Sequence, residues 1–325
     1  MNDNLLYFPY INIPKNNWTI KSLLYWDNVG VIVPPDFAEN PNQFDKKTRD
    51  LLKTDLIQQI FPYDYTLKVK KFDKGFLKLI NQPEFNLTER QEDFRKGKTS
   101  KIHVQKFGEE ILDKLVELKI AIRLPVDRQW YDIESRTARL IMLYLATVIG
   151  KSGNFTPATD KLKNLDLSIN QNGTALRRNS LRQNILDDLI PYPINPDLTE
   201  LRRFKDKYHE ELKSFRILIE QYTLTIESFK KKKIQEEFKL LKIAEINDKR
   251  DKILSDLNES RFGQITFGTI FSLIGAAMGF AQGNSPLGIF SLLNAVHSAF
   301  QGYDDSAILS RDYSYLALVD KNFKQ

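Results

Sequence analysis

The sequence contains no cysteine and only three histidines among its 325 residues. Without cysteine the chain can form no disulfide scaffold, cysteine nucleophile, Cys-ligated zinc site or iron–sulfur cluster. The histidines, His103, His209 and His297, are scattered along the chain, which argues against a histidine-rich metal site. We therefore predict no metal and no cofactor.

Recognisable catalytic and nucleotide-binding motifs are also missing. No G-x-S-x-G nucleophile elbow occurs. The tripeptide Gly150-Lys151-Ser152 resembles the end of a phosphate-binding loop, but the motif needs an earlier glycine where this chain has Leu145. The net charge of +6 is modest for a protein of this length, so nucleic acid is not an expected partner. The sequence as a whole favours a protein that is not an enzyme.

The most unusual feature present is a segment of 42 residues, 262–303, without a single Lys, Arg, Asp or Glu in a chain that is 28% charged. It holds seven of the 14 glycines, and Gly283-Asn284-Ser285-Pro286 at its centre is a strong turn signal. The stretches on either side, 265–281 and 287–300, have helical composition. We therefore predict an apolar helical hairpin over residues 262–303.

Glycines at four-residue steps give the first arm of this hairpin a ridge that a second helix could approach closely. Both arms are shorter than the roughly 20 apolar residues of a constitutive membrane span. Three interpretations stay open: a buried hairpin in a soluble core, a hairpin that inserts into a membrane or forms an oligomer, and a permanently integral protein. The candidate membrane or oligomer residues are Gly275, Gly279, Gly283, Phe271, Phe280 and Phe290.

The remaining pattern predicts an α+β protein that is mainly α. Residues 1–198 read as an α/β domain, with a strand–helix–strand opening, helices over 44–60 and 131–149, and a polar loop over 86–100. A proline-dense stretch at 190–198 marks the boundary. Residues 199–325 read as a helical domain of long charged helices that ends with the apolar hairpin. One straight helix over 199–261 would be very long, so we expect either a break near residue 247 or an αα-hairpin.

Four consecutive lysines lie within the predicted helical domain, on the N-terminal side of the apolar hairpin. Lys230, Lys231, Lys232 and Lys233 are candidates for contact with anionic lipid or phosphate. The alternative is a solvated helix face.

Three short motifs near the N-terminus carry a resemblance. LYFPY at residues 6–10, LLYWD at 23–27 and VPP at 33–35 resemble an uncharacterised bacterial family, a domain of unknown function. The similarity covers residues 5–37 well and 155–220 loosely, the latter through Thr159-Asp160 and the proline-rich stretch. It implies a bacterial origin and no established activity. Tyr7, Trp26, Asp27 and Asp160 are candidate site residues, with strand packing and turn capping as the alternative.

These features together predict a bacterial effector whose C-terminal hairpin inserts into a membrane or drives oligomerisation, with a role in abortive-infection defence against phage. One alternative is a soluble enzyme or nuclease-like α/β protein with the hairpin as core. Another is a non-enzymatic scaffold or sensor that acts through its charged helices. The expected partners are a second copy, a membrane or another protein. Because the N-terminus lacks the features of a signal peptide, we expect a cytoplasmic protein that reaches the membrane on activation.

Overall fold

A computed structural model describes residues 3–69, 71–161, 173–190, 197–259 and 305–323. The chain divides into two compact units. Unit 1 comprises Met1–Asn184 and Pro196–Arg202, and unit 2 comprises Ile185–Asn195 and Arg203–Gln325. The predicted class, α+β and mainly α, is confirmed. The predicted hairpin at 262–303 lies outside the described residues.

Unit 1 combines two small sheets with helices. Its elements are β1 (Asn4–Tyr7), α1 (Asn17–Tyr25), β2 (Asn28–Ile32), α2 (Pro35–Glu39), α3 (Lys46–Lys53), β3 (Ile57–Ile60), α4 (Tyr63–Thr66), α5 (Phe72–Ile80), α6 (Leu87–Arg95), β4 (Thr99–His103), α7 (Glu109–Glu117), β5 (Ala121–Arg123), β6 (Trp130–Glu134), α8 (Ser135–Gly153) and β7 (Phe155–Ala158). Helix α9 (Gly173–Leu189) runs from unit 1 into unit 2.

The first sheet is parallel, with strand order β3-β2-β1-β7. Leu5 of β1 pairs with Val29 of β2 on one side and with Thr156 of β7 on the other. Most residues of the two central strands are buried, as expected for a parallel sheet covered on both faces. The opening strand–helix–strand prediction is confirmed by β1, α1 and β2.

The second sheet is antiparallel, with order β4-β6-β5, and it is inserted in the chain between β3 and β7. Helix α8 follows β6 directly and supplies the buried side chains Ile141, Leu145 and Ile149 to the main core of unit 1. That core also takes Leu6 from β1 and Ile133 from β6, so it spans both sheets.

Three local predictions in unit 1 are wrong. The predicted helix over 44–60 ends at Lys53, because Asp55 adopts a positive φ of 54° and the chain then enters β3. The predicted loop over 86–100 holds α6, whose first turn is capped by Asn86, which accepts a hydrogen bond from Glu89 N. The predicted helix over 131–149 begins only at Ser135, because residues before it pair in β6.

Unit 2 is helical. Its further elements are α10 (Leu198–Lys207), which starts in unit 1, and α11 (His209–Ser228), α12 (Lys232–Glu259) and α13 (Asp305–Phe323). Phe215 of α11 stacks on Tyr315 of α13 with ring centroids 5.6 Å apart. The predicted break near residue 247 is wrong, since α12 runs through it. The chain turns instead at Tyr208 and between α11 and α12, and the contact between these two helices agrees with the alternative of an αα-hairpin.

Candidate functional site

The parallel sheet has its topological switch point at β1. From β1 the chain moves outward through β2 to β3 on one side, and β7 is added later on the other side. In open parallel sheets, ligands bind beyond the carboxyl ends of the strands at such a point, because the connections diverge there and leave a crevice. A ligand site is therefore expected at the carboxyl ends of β1 and β2.

A cavity of about 490 Å³ lies at this edge. It is bounded by the loop that follows β1, by residues after β2, and by one end of the antiparallel sheet. We call it the edge cavity; its lining residues are Pro9, Tyr10, Ile11, Asn12, Phe37, Gln43, Lys101, Ile102, His103, Lys106 and Trp130. Its volume falls within the range of small-molecule sites.

Lys106 is the most unusual lining residue. It ends a short 3₁₀ turn, Val104–Lys106, directly after β4, and only 4% of its surface is exposed. Within the described part of the chain its amine forms no hydrogen bond or ion pair. Burial without a compensating anion lowers the pKa of Lys106 to about 7. This amine therefore exists in both protonation states near neutral pH.

His103 also lines the cavity, but its ring is held by neighbours. Its Nε2 lies 3.1 Å from Gln129 Oε1, and its Nδ1 accepts a hydrogen bond from Gln105 N. Nδ1 thus acts as the acceptor, which leaves Nε2 to carry the proton in the neutral ring. The Trp130 ring meets the imidazole edge to face at 4.9 Å. Burial lowers the pKa of His103, so a neutral, oriented imidazole is expected at pH 7.

Polar contacts fix the walls of the cavity. The Gln105 side chain donates from Nε2 to Asp36 Oδ1 at 2.6 Å and accepts from Asp36 N at 3.2 Å, which joins the turn after β4 to α2. In the loop after β1, Asn12 Oδ1 accepts from Asp45 N at 2.9 Å. Ile13 N donates to Thr48 Oγ1 at 3.1 Å. The cavity is therefore built by contacts between segments that are distant in the sequence.

Two of the four predicted N-terminal candidates meet at the switch point. Tyr7 ends β1, and its hydroxyl donates to Asp160 Oδ1 at 3.2 Å just beyond β7. Lys161 Nζ lies 3.2 Å from Asp160 Oδ2. Burial, reinforced by the Asp160 charge, raises the pKa of Tyr7 far above its usual value, so the phenol stays protonated and acts as a donor.

The other two candidates lie at the opposite ends of the parallel strands. Trp26 follows α1 and Asp27 precedes β2, so both sit at the amino end of a parallel strand. Trp26 is buried, and the Arg182 guanidinium lies 5.1 Å from the centre of its ring. The backbone N–H of Asp27 donates to Asp3 O. The structure does not bring these residues to Tyr7 and Asp160.

Of the four predicted contact lysines, Lys230 and Lys231 lie in the turn between α11 and α12, and Lys232 and Lys233 begin α12. All of them are exposed, and Lys233 Nζ lies 3.8 Å from Glu237 Oε1. Contact of this run with lipid or phosphate stays a prediction. The predicted hairpin residues, Gly275, Gly279, Gly283, Phe271, Phe280 and Phe290, lie outside the described residues.

Sequence reasoning missed Lys106 and His103. Residues 101–107 alternate in the manner of a strand, and in such a pattern a lysine or histidine beside apolar residues is ordinary. The strand ends at His103 instead, and the 3₁₀ turn that follows places Lys106 at the cavity. The only sequence signal is a lysine next to Phe107, which is not specific.

Across the described ranges, no group of three His, Asp or Glu side chains is arranged to hold a metal ion. None of the helices there combines the length and apolar composition that a membrane span requires. No protein-family model, curated protein or solved structure matches this chain.

Proposed function

We propose that unit 1 binds a small organic anion with a planar group in the edge cavity. The observation that carries this proposal is the Lys106 amine, which lines the cavity and has no partner among the described residues. A buried cation without a counter-ion is costly, and a bound anion would supply the missing partner.

The lining of the cavity supports an anionic ligand. Lys101 adds a second, exposed positive charge, and none of the described lining residues is Asp or Glu. Asp36 of helix α2 is engaged by Gln105. Trp130 and Phe37 provide flat apolar surfaces. An aromatic carboxylate matches this lining in two ways. Its ring can pack on Trp130 and Phe37, and its negative charge can pair with the lysines.

Tryptophan fluorescence can test this binding, because Trp130 lines the cavity and the other two tryptophans, Trp18 and Trp26, belong to the same unit. Benzoate and nicotinate are the anionic probes, and benzamide and nicotinamide are their neutral counterparts. We expect the carboxylates to bind about 10- to 100-fold more tightly, which corresponds to one charged hydrogen bond.

Matched lysine variants locate the binding. Lys106→Met should remove most of the preference for the carboxylate over the amide, and Lys101→Met should remove a smaller part. Lys53→Met changes an exposed lysine of α3 outside the cavity lining and should leave binding unchanged. Equal binding of acids and amides by the wild type, or unchanged selectivity in Lys106→Met, would contradict the proposal.

We also propose a second, separate function: the C-terminal segment acts on a membrane or assembles copies of the chain. The observation that favours it is the uncharged run at 262–303 with its row of Gly275, Gly279 and Gly283. Glycines in such a row suit close helix–helix packing in lipid. A role in defence against phage stays a prediction that plaque assays can check.

Dye release from phosphatidylglycerol vesicles tests the second function. Wild-type protein should release dye, and Gly279→Leu should release less because it fills the predicted ridge. Gly288→Leu changes a glycine outside that row and should have a smaller effect. If wild-type protein neither releases dye at pH 7 or pH 5 nor forms oligomers in light scattering, this function is wrong.

A further inference from the structure

We infer that Lys106 forms an imine with the carbonyl carbon of a small 2-oxo acid held in the edge cavity. This inference rests on the proposed anion site and adds a substrate class to it. It depends on three properties of the cavity: an unpartnered buried amine, a second cation beside it, and access from solvent.

The amine of Lys106 meets the requirements for a nucleophile. An amine attacks a carbonyl only in its neutral form, and desolvated lysines are the usual solution in proteins. Lys106 is buried, and within the described residues no carboxylate pairs with it and holds its proton. Its pKa of about 7 makes a large fraction neutral at pH 7. An exposed lysine with an ordinary pKa is almost entirely protonated at that pH.

The second cation favours an acid over a simple aldehyde. Lys101 lines the same cavity, and its side chain is exposed. A 2-oxo acid carries a carboxylate on the carbon next to its carbonyl. The carboxylate can therefore neutralise Lys101 while the carbonyl carbon stays available to Lys106.

The other titratable groups of the lining do not compete for this role. His103 uses both ring nitrogens, one with Gln129 and the other with the backbone of Gln105. Tyr10 is 52% exposed and marks the solvent side of the cavity. Water can therefore reach the reacting groups from that side and carry protons between them.

The reaction balances without any further reactant. The lone pair of neutral Lys106 Nζ forms a C–N bond, and the carbonyl π pair moves to oxygen, which takes one amine proton through water. The resulting carbinolamine loses its C–O bond as the nitrogen lone pair forms C=N, and the second amine proton leaves with the oxygen. The products are the imine and one water molecule, with no change in oxidation state.

Reductive trapping tests this inference on the full-length protein. Pyruvate is added at pH 7 with sodium cyanoborohydride, which reduces an imine to a stable secondary amine. Peptide mass spectrometry then locates the added carboxyethyl group. We expect modification of Lys106 at least tenfold faster than of exposed Lys53, and we expect excess benzoate to suppress it.

Two variants separate reactivity from charge. Lys106→Arg keeps the positive charge, so it should retain benzoate binding and lose the adduct at this position. Lys106→Met removes the charge as well and should lose both the benzoate preference and the adduct. Lys101→Met should slow trapping of pyruvate at Lys106 and leave trapping of acetaldehyde there unchanged.

The outcomes distinguish this inference from the function on which it rests. Benzoate binding without an adduct at Lys106, or adducts spread equally over exposed lysines, would overturn the imine and leave the anion site standing. If wild-type protein binds benzoate no more tightly than benzamide, the anion site itself is overturned.

Discussion

Replacing Lys106 by methionine is expected to stabilise unit 1, although the substitution removes a residue of the proposed site. Methionine has a similar length and no charge, and the lysine amine has no protein partner to lose in the described structure. The wild-type protein must either deprotonate this amine on folding or bury it charged. Both routes cost free energy that the methionine variant does not spend.

The size of the effect follows from the pKa. Burial lowers the pKa of Lys106 from 10.5 to about 7. At about 1.4 kcal/mol per pKa unit, this shift corresponds to at most about 5 kcal/mol at pH 7 and below. Water in the cavity reduces the penalty, so we expect the variant to gain roughly 2–5 kcal/mol in free energy of unfolding.

The gain in free energy of unfolding should decrease as pH rises above about 7. Because the folded pKa lies below the unfolded one, the unfolded wild type binds more protons between about pH 7 and 10.5. The wild-type free energy of unfolding therefore rises with pH in this window, by up to about 1.4 kcal/mol per unit. The advantage of Lys106→Met is fully present below about pH 7, and it is lost as pH rises from there towards 10.5.

Urea unfolding followed by tryptophan fluorescence measures this difference, since Trp18, Trp26 and Trp130 all belong to unit 1. Measurements at pH 7 and pH 9 should show the advantage of Lys106→Met falling by up to about 3 kcal/mol. Lys101→Met changes the exposed lysine of the same cavity and should shift stability little. A Lys106→Met variant that is less stable than wild type, or a difference independent of pH, would refute the reasoning.

Three further predictions concern the same unit. Benzoate should bind protonated Lys106, so its affinity should fall as pH rises above about 7, up to tenfold per unit, in fluorescence titrations at pH 6 to 9. Glu134→Gln weakens the buried pair with Arg90 and should cost about 3–5 kcal/mol in urea unfolding. Tyr7→Phe removes one hydrogen bond to Asp160 and should cost about 1 kcal/mol by the same measurement.

The fold class and the opening of unit 1 could be predicted because their signals are local. The run of apolar residues at β2 bounded by Pro34 marks a buried strand, and α1 has a continuous apolar side. The start of α8 could not be predicted in the same way. Residues 131–134 fit a helical period, but Glu134 accepts hydrogen bonds from Arg136 N and Thr137 N and so begins the helix after the strand.

Helix α6 illustrates a long-range cause. Its sequence is mostly polar and predicts a loop, yet it buries Arg90, whose guanidinium lies 3.0 Å from Glu134 Oε2. That partner is 44 residues away. Tertiary contact thus overrides the local pattern.

The candidate site likewise combines residues with local sequence signals and contacts between distant segments. Tyr7 and Asp160 were predicted from short motifs, and their meeting across β1 and β7 follows from strand order, which a sequence without an alignment does not give. The edge cavity was not predicted at all. It depends on contacts such as Gln105 with Asp36, which join residues 69 positions apart.

Two buried cations in unit 1 differ in a way that bears on function. Arg90, 1% exposed, is fully engaged: Nε donates to Phe85 O at 2.6 Å, Nη1 contacts Glu134, and the guanidinium lies 4.3 Å from the centre of the Phe85 ring. Such contacts are typical of a buried charged side chain with a structural role. Lys106 is almost as buried and has none of these contacts within the described residues. Stability alone would favour an apolar side chain there, so a lysine in this place is best explained by a ligand or substrate that the amine meets.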